Sequence, residues 1–378
     1  MTGDVLSVED LKPQKTMGDH DLCWCRSGLE WKYCHRDRGQ GTRTNVNHML
    51  DGLRQQQAMG YCAHPAAGAG VCSGRPIAAH TIQKEGGLRE ISEDGHVLSL
   101  KKGAFNIGRN DGTLVPASDG IARASTFPGF CNLHDAMFSP AEQTTVVIGT
   151  EVAFLLSYRA VVYEKFVKEA SIKSIDKIRQ QADRGVPFRA QANIQNALWL
   201  QRWGSEIGLR DITAHKACYD LAYHTGFSGF HFSATEFDVA LPVAACGAFC
   251  PDFDLFGQPI QSLAATANLD PIAVNLTTLN GRGVLILGWM GSEGAPAKFA
   301  NSYDRLPDAE KANAAARITV EYLENTYGRP SWWQGLSSTV QDGVADSAFT
   351  LGPPAVCHRG TDGLCFDGRT FTSAAVVR

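Results

Sequence analysis

Apolar residues recur at helical spacing in the stretch that follows residue 141. They share an i, i+3, i+4, i+7 pattern and are Phe154, Leu155, Tyr158, Val161, Val162, Phe166 and Val167. This pattern predicts a long amphipathic helix that ends near Gly185, and residues 188–225 and 308–328 are predicted to be helical as well. The basic side chains of the first helix, Arg159 among them, are predicted to lie on its solvated face, with contact to phosphate as the alternative.

The pattern becomes strand-like between the second and third helical stretches. Residues 228–290 contain three apolar or alternating runs rich in β-branched and aromatic residues, namely FHFSATEFDVALPVAA, DPIAVNLTTLN and GVLILGWM. Shorter strand-like segments occur at 76–82 and 96–100, in a region rich in Gly, Cys and His. Together these elements predict an α+β protein whose C-terminal domain mixes helices and strands.

A chain of 378 residues exceeds the size at which single hydrophobic cores stop growing, so two or three domains are expected. Changes in composition set the predicted boundaries. These are a flexible lead over 1–20, a small Cys-rich segment over 21–40, a Cys- and His-braced domain over 46–140, an α/β domain for partner or substrate recognition over 141–340, and a loop-rich tail over 341–378.

Charge and hydropathy limit the classes of function. A net charge of −4 argues against a uniformly basic nucleic-acid binder but leaves room for a local basic face. The polar N-terminus lacks the apolar core of a signal peptide, and no apolar run reaches the roughly 18 residues that a membrane span needs. We therefore expect a cytoplasmic protein without membrane contact, in which clustered cysteines hold metal rather than form disulfides.

The segment LCWCRSGLEWKYCHRDR at 22–38 carries the most specific motif. Its ligand-type residues Cys23, Cys25, Cys34 and His35 follow the spacing C-x-C-x8-C-H, interrupted by Ser27-Gly28. Three thiols and one imidazole form a closed tetrahedral set that suits a structural zinc ion and leaves no open position for chemistry. In so short a segment, folding and zinc binding are expected to be one event.

This segment closely resembles the SEC-C motif, whose usual form is C-x-C-x-S-G followed by a C-C or C-H pair. The resemblance implies an appended zinc finger that binds a protein or nucleic acid and is not itself a catalyst. A protein partner could be bound through this finger or through the C-terminal domain.

A second set of ligand-type residues lies between 62 and 134. Cys62 and Cys72 precede Cys131-x2-His134, and two such ligand pairs on separate turns are typical of small zinc-braced treble-clef domains. His64 could take the place of either upstream cysteine. The predicted ligands of this second zinc are therefore Cys62, Cys72, Cys131 and His134.

The order of these elements resembles the ββα-metal, or HNH, nuclease fold. A ligand pair is followed by a strand that ends at His80, and Cys131-x2-His134 opens a helix that carries Asp135. The resemblance implies that His80 is the general base, that Asp135 holds a catalytic Mg²⁺ or Mn²⁺, and that Ser125 or Thr126 orients the imidazole. Glu142 is a further metal-ligand candidate, and His80 as a zinc ligand or core histidine is the alternative. The motifs A-H-T-I, G-H-V and A-S-T-F-P-G-F-C-N-L-H-D also resemble a bacterial family without an assigned function, over about 60–170.

The sequence therefore favours a metal-dependent nuclease that hydrolyses phosphodiesters of DNA or RNA, with two structural zinc ions and one catalytic divalent ion. Such an enzyme would suit a phage-defence effector by association. Motifs of zinc proteases, P-loop NTPases and zinc deaminases are missing. The alternative is a non-catalytic, zinc-stabilised adaptor for nucleic acid or protein, favoured by Ala79, which stands where the nuclease family has an acidic residue.

Overall fold

The computed structural model describes residues 8–45, 58–68, 70–100, 115–143, 145–264, 266–347 and 373–377. Parts of the predicted lead and tail, and the start of the predicted 46–140 domain, lie outside the described residues. Helices account for 42% and strands for 19% of the structure, which is a mixture consistent with an α+β protein.

The longest helices and strands of the described residues lie after residue 141. The strands are β1 Pro76–His80, β2 His96–Ser99, β3 Ala117–Gly120, β4 Thr126–Cys131, β5 Phe230–Phe237, β6 Val243–Phe249, β7 Ile272–Leu279, β8 Arg282–Met290, β9 Thr326–Gly328 and β10 Ser373–Val377. The helices are α1 Arg89–Ile91, α2 Asn132–Asp135, α3 Thr150–Arg179, α4 Phe188–His224, α5 Ala295–Asp304, α6 Asp308–Tyr322, α7 Pro330–Gly335 and α8 Ser338–Ser347. The helices and strands predicted after residue 141 agree in type with the observed elements except at 326–328, where the predicted helix is wrong and the chain forms strand β9.

The chain divides into two compact units. Unit 1 comprises 1–59, 165–210 and 264–266, and unit 2 comprises 60–164, 211–263 and 267–378. Unit 1 therefore combines the N-terminal Cys-rich segment with the second half of α3 and the first half of α4.

A sheet of eight strands dominates unit 2. Its order is β10-β5-β8-β7-β6-β9-β2-β3, and every neighbouring pair is antiparallel. All eight residues of β7 are buried, because this strand has a neighbour on each side and a layer of structure on each face. Its sequence IAVNLTTL accordingly shows no regular alternation of apolar and polar residues, and its polar residues Asn275, Thr277 and Thr278 are buried as well.

Helices cover both faces of this sheet. On one face, Phe299 of α5 and Ala315 of α6 pack into a core cluster with Leu285 and Leu287 of β8. Successive strand residues point to opposite faces, so Gly288 lies on the other face. A Cβ atom at Gly288 would stand 2.1 Å from the Ser157 hydroxyl oxygen of α3, and the glycine therefore allows α3 to approach the sheet closely.

A separate two-stranded sheet in unit 2 contains Cys131, one of the second set of ligand-type residues. Strands β1 and β4 pair antiparallel, with His80 opposite Thr126 and Pro76 opposite Cys131. Helix α2 begins directly after β4, so Cys131 stands at the junction of strand and helix. The sequence predicted β1 and the short helix but not β4, and the strand predicted at 96–100 corresponds to β2 of the eight-stranded sheet.

Candidate metal centres and an adjacent histidine–aspartate pair

The first Cys/His cluster is built by two tight turns in unit 1. The N–H of Cys23 donates to the carbonyl of Leu29, and the N–H of Arg26 donates to the carbonyl of Cys23. Gly28 has φ of +79°, a left-handed conformation that glycine adopts without strain. A 3-10 turn at Trp31–Tyr33 then presents the next two residues, Cys34 and His35.

The four ligand atoms of the first cluster converge on one point. The Nδ1 atom of His35 lies 3.2 Å from the sulfurs of both Cys23 and Cys34, and the sulfurs of Cys25 and Cys34 are 3.5 Å apart. A tetrahedral zinc site has metal–ligand distances of about 2.0–2.3 Å, so its ligand atoms are roughly 3.3–3.8 Å apart. The cluster has the donor types and the spacing that zinc requires.

Electrostatics in the first cluster also suit a cation. Contacts with the thiols of Cys23 and Cys34 lower the pKa of Cys25, and contacts with the thiols of Cys25 and Cys34 raise the pKa of Cys23. Burial lowers the pKa of His35, but its hydrogen bonds to Asp183 and to Cys25 and Cys34 outweigh burial and raise it to about 10. Zinc binding would release the protons that these ligands carry.

A buried carboxylate lies behind the first cluster. Asp183 follows α3 in the chain, and its Oδ2 atom is 2.7 Å from Nε2 of His35. Its Oδ1 atom pairs with Nε of Arg38 at 2.9 Å, and Nε2 of Gln195 donates to Oδ2 at 3.0 Å. The Arg179 guanidinium donates to the carbonyl of Cys25. The finger segment is thereby bonded to residues more than 140 positions away.

The second Cys/His cluster forms at the start of α2 in unit 2. Nδ1 of His134 lies 3.2 Å from the sulfur of Cys62, 3.3 Å from that of Cys131 and 3.7 Å from that of Cys72. Burial raises the pKa of Cys131, but hydrogen bonds from the His134 backbone and from Ser73 outweigh it and lower the pKa to about 6. The donor types of this cluster also fit zinc, and the lowered pKa of Cys131 favours its thiolate form.

His64 lies beside the second cluster and is not one of its four ligand residues. Its ring stacks on that of His134 with centroids 4.1 Å apart, and Tyr223 contacts it edge-on. Nδ1 of His64 accepts a hydrogen bond from the N–H of Ala66. Burial, followed by the charges of neighbouring cationic groups, lowers the pKa of His64 to about 4, so this ring is neutral at pH 7.

His80 is the last residue of β1. In the sequence it lies between the ligand residues Cys72 and Cys131, but it is not itself one of the ligands of the second cluster. Its Nε2 atom is 3.0 Å from the carbonyl oxygen of Ile121. A carbonyl only accepts hydrogen bonds, so this contact assigns the proton of the neutral ring to Nε2 and leaves Nδ1 with a lone pair. The imidazole thus has the tautomer that a general base requires at Nδ1.

Asp135 is the last residue of α2, and its carboxyl interacts electrostatically with His80, Glu142 and Arg159. Burial raises the pKa of Asp135, the Glu142 charge adds to that increase, and the charges of Arg159 and His80 oppose it. A further cation bound nearby would therefore stabilise the ionised carboxylate of Asp135.

Arg159 is buried, which corrects the expectation of a solvated helix face. Only 1% of its side chain is exposed, and Nη2 donates to Oε1 of Glu142 at 2.7 Å while Glu142 remains 43% exposed. The guanidinium also lies 4.0 Å from the centroid of the Phe138 ring. Its Nε and Nη1 atoms have no hydrogen-bond partner. The prediction from periodicity was wrong here because an apolar repeat does not show that one cationic side chain within it is buried.

Ser125 belongs to a buried hydrogen-bond network. Its hydroxyl contacts that of Thr81 and accepts from the side-chain amide of Asn325 at 3.0 Å, and its N–H donates to the Tyr327 hydroxyl at 2.7 Å. The hydroxyl of Thr126 donates to the carbonyl of Arg123. The backbone of Ile121, and neither hydroxyl, is the partner that the structure gives to His80.

Within the described ranges, three or more Cys, His, Asp or Glu ligand atoms come within 4.8 Å of one another only in the two Cys/His clusters. A divalent ion near His80 would accordingly have few protein ligands. Among the described helices, none combines the length and the apolarity needed to cross a membrane.

Comparison with known proteins places one motif. Residues 21–37 match the model of the SEC-C motif, which confirms the resemblance of the N-terminal segment over a small part of the chain. Searches of curated proteins and of solved structures found no match.

Proposed function

We propose that the protein is a metal-dependent nuclease that hydrolyses phosphodiester bonds of DNA or RNA at the His80–Asp135 pair. The observation that carries the proposal is the hydrogen bond between His80 and the Ile121 carbonyl. It fixes the neutral tautomer with a free Nδ1 on the strand that pairs with β4, and β4 leads directly into the helix of Asp135.

His80 has the role of general base. Its Nδ1 atom takes a proton from water while the water oxygen forms a bond to phosphorus. The bond between phosphorus and the leaving oxygen breaks, and the leaving oxygen receives a proton from solvent. Nε2 keeps its proton and donates it to the Ile121 carbonyl throughout, and this hydrogen bond favours the imidazolium form that results.

Asp135 would hold the divalent cation, with Glu142 as a second carboxylate. Mg²⁺ is commonly bound by one or two carboxylates, waters and substrate phosphates, which agrees with the small number of protein ligands near His80. When bound, the ion stabilises the charge that develops on the phosphate and the leaving oxygen. Arg159 offsets one of the two carboxylate charges and holds Glu142 in place.

The second Cys/His cluster would brace this site without taking part in the reaction. Its zinc would join the turn at Cys62 and Cys72 to the start of α2 through Cys131 and His134. Because Asp135 directly follows His134, the position of the proposed metal ligand depends on this structural zinc.

One specific observation favours the adaptor alternative. Ala79 stands where the nuclease family has an acidic residue, and it is only 2% exposed. A carboxylate at this position would be buried in the hairpin instead of facing a metal ion.

Cleavage of plasmid DNA and of total RNA by the purified full-length protein tests the proposal, with Mg²⁺, Mn²⁺ or EDTA present. We expect cleavage that requires the divalent ion and falls by about 10²–10⁴-fold in His80→Ala and in Asp135→Asn, at unchanged zinc content. His96→Ala, which alters an exposed histidine at the start of β2, is the control.

Full activity of His80→Ala would refute the assignment of the base. Absence of cleavage of either nucleic acid, with two zinc ions retained, would refute the nuclease and favour the adaptor, whose binding to the same two nucleic acids is then measured by gel shift.

A further inference from the structure

The two ring nitrogens of His35 face different kinds of group. Nδ1 faces the thiol sulfurs of Cys23 and Cys34 at 3.2 Å, and Nε2 faces the Asp183 carboxylate at 2.7 Å. The side chains of His35 and Asp183 are 1% and 0% exposed. A carboxylate only accepts hydrogen bonds, so it requires the proton on Nε2 and leaves Nδ1 to bind a metal.

Asp183 is itself held from two directions. Arg38, three residues after His35, pairs with Oδ1, and Gln195 of α4 donates to Oδ2. Gln195 also donates to the carbonyl of Arg179 at 2.8 Å and accepts from Nε of Arg179 at 3.1 Å. The finger, the end of α3 and the start of α4 are therefore joined in one buried polar network.

The charges of this network balance when a zinc ion is bound. Three thiolates around Zn²⁺ carry a net charge of −1, and the Asp183 carboxylate adds another. The guanidinium groups of Arg38, which lies 3.6 Å from the Cys34 sulfur, and of Arg179, which bonds the Cys25 carbonyl, compensate these two charges. Buried charges are tolerated when they are paired in this way.

Apolar contacts also join the finger to α4. Trp24 and Trp31 of the finger are buried in a cluster against which Phe188 and Trp199 of α4 pack. The Trp199 indole N–H donates to the carbonyl of Glu9 at 3.2 Å. The finger thus supplies part of the core of unit 1, whereas an appended module would have a core of its own.

We propose that Asp183 is a positioning residue for zinc at the first cluster and that zinc occupancy thereby controls the order of the helical segment 165–210. Asp183 sets the tautomer and orientation of His35, and the loaded cluster in turn anchors the turn between α3 and α4. This inference is independent of the proposed nuclease function.

Zinc affinity of the full-length protein, measured by competition with a chromophoric chelator, tests the first half of the proposal. Asp183→Asn and Asp183→Ala are expected to lower the affinity for one of the two zinc ions by about 10–100-fold and to leave the affinity for the other unchanged. The control is Asp176→Asn, which removes a carboxylate of unit 1 that is 44% exposed and pairs with Arg202. Affinities within twofold of wild type in a folded Asp183→Ala protein would overturn the positioning role.

Two measurements on the wild-type protein keep the proposal testable if the variants fail to fold. The ¹⁵N resonances of His35 in the zinc-loaded protein should identify Nε2 as protonated and Nδ1 as metal-bound, and the reverse assignment would overturn the role of Asp183. Hydrogen exchange in 165–210 should increase at least tenfold when a chelator removes zinc. Unchanged exchange there would overturn the coupling of zinc to the helical segment.

Discussion

The two Cys/His clusters have the same ligand set, three thiols and one imidazole, but their surroundings differ. In the first cluster the imidazole is hydrogen-bonded to the buried carboxylate of Asp183, which Arg38 and Gln195 also contact. In the second cluster the imidazole stacks on a neutral histidine ring. Identical ligands therefore do not imply identical roles, because groups outside the ligand set decide what each metal holds together.

The environments also differ in what they leave free. The first cluster is enclosed by charge pairs within unit 1. The second is followed directly by Asp135, whose carboxyl interacts with His80 and with the half-exposed Glu142. We therefore expect loss of the first metal to loosen helices and loss of the second to abolish activity.

Ligand replacement should give the largest effect and tests that division directly. Cys34→Ser and Cys131→Ser should each lose one zinc ion per chain, because a closed tetrahedral site depends on all four ligands. Hydrogen exchange should then rise in 8–45 and 165–210 for the first variant, and in 60–100 and 115–143 for the second. Only Cys131→Ser should lose cleavage.

Zinc content by mass spectrometry and peptide-resolved hydrogen exchange measure these outcomes. Cys218→Ser, which alters an exposed free cysteine, is the control. Loss of protection across both units in either variant would break the distinction between the clusters.

The Arg159–Glu142 pair should give an intermediate effect that sharpens the description of the second region. Glu142→Leu leaves the buried guanidinium without its charged acceptor and should lower the free energy of unfolding by about 1–3 kcal/mol. Glu142→Gln keeps an acceptor oxygen and should cost less, yet it should reduce cleavage as strongly as Glu142→Leu does. Urea denaturation and cleavage at several Mn²⁺ concentrations measure the two effects, and equal cleavage by wild type and Glu142→Gln would remove Glu142 from the proposed metal site.

The smallest effect concerns the pH dependence of the second region. The pKa of His64 in the folded protein is lowered to about 4, whereas its ordinary value is 6.5. The unfolded chain therefore binds the extra proton first as pH falls, and the stabilisation by neutral His64 is lost between about pH 6.5 and 4. His64→Phe keeps a ring for stacking but does not titrate, so it should lose less stability over this range, by roughly 1–3 kcal/mol.

Urea denaturation of wild type and His64→Phe across this range measures the difference. Proton competition at the thiolates is common to both proteins and cancels in the comparison. Parallel pH profiles would mean that folding does not lower the pKa of His64.

Much of the fold could be predicted from the chain itself. The helical repeat from Phe154 to Val167 and the apolar runs after residue 228 identified helices and strands correctly, since burial on one or two faces imposes a period on the sequence. The ligand spacing around Cys23 and around Cys131 likewise identified both clusters, because zinc fixes the number, type and local spacing of its ligands.

Contacts between distant segments could not be predicted in this way. Asp183 lies 148 positions from His35, and its residue type is equally common on surfaces, so no local pattern indicates that it is buried behind a metal ligand. The same holds for Arg159, a cation within an apolar helical repeat, and for the Ile121 carbonyl that orients His80, since a backbone group has no sequence signal. The sequence by itself determined the long helices, the strands of 228–290 and the metal-ligand sets, because each depends on short-range periodicity or spacing. Only the tertiary structure decided which charges are buried beside them, because burial and charge pairing depend on segments that meet after the chain has folded.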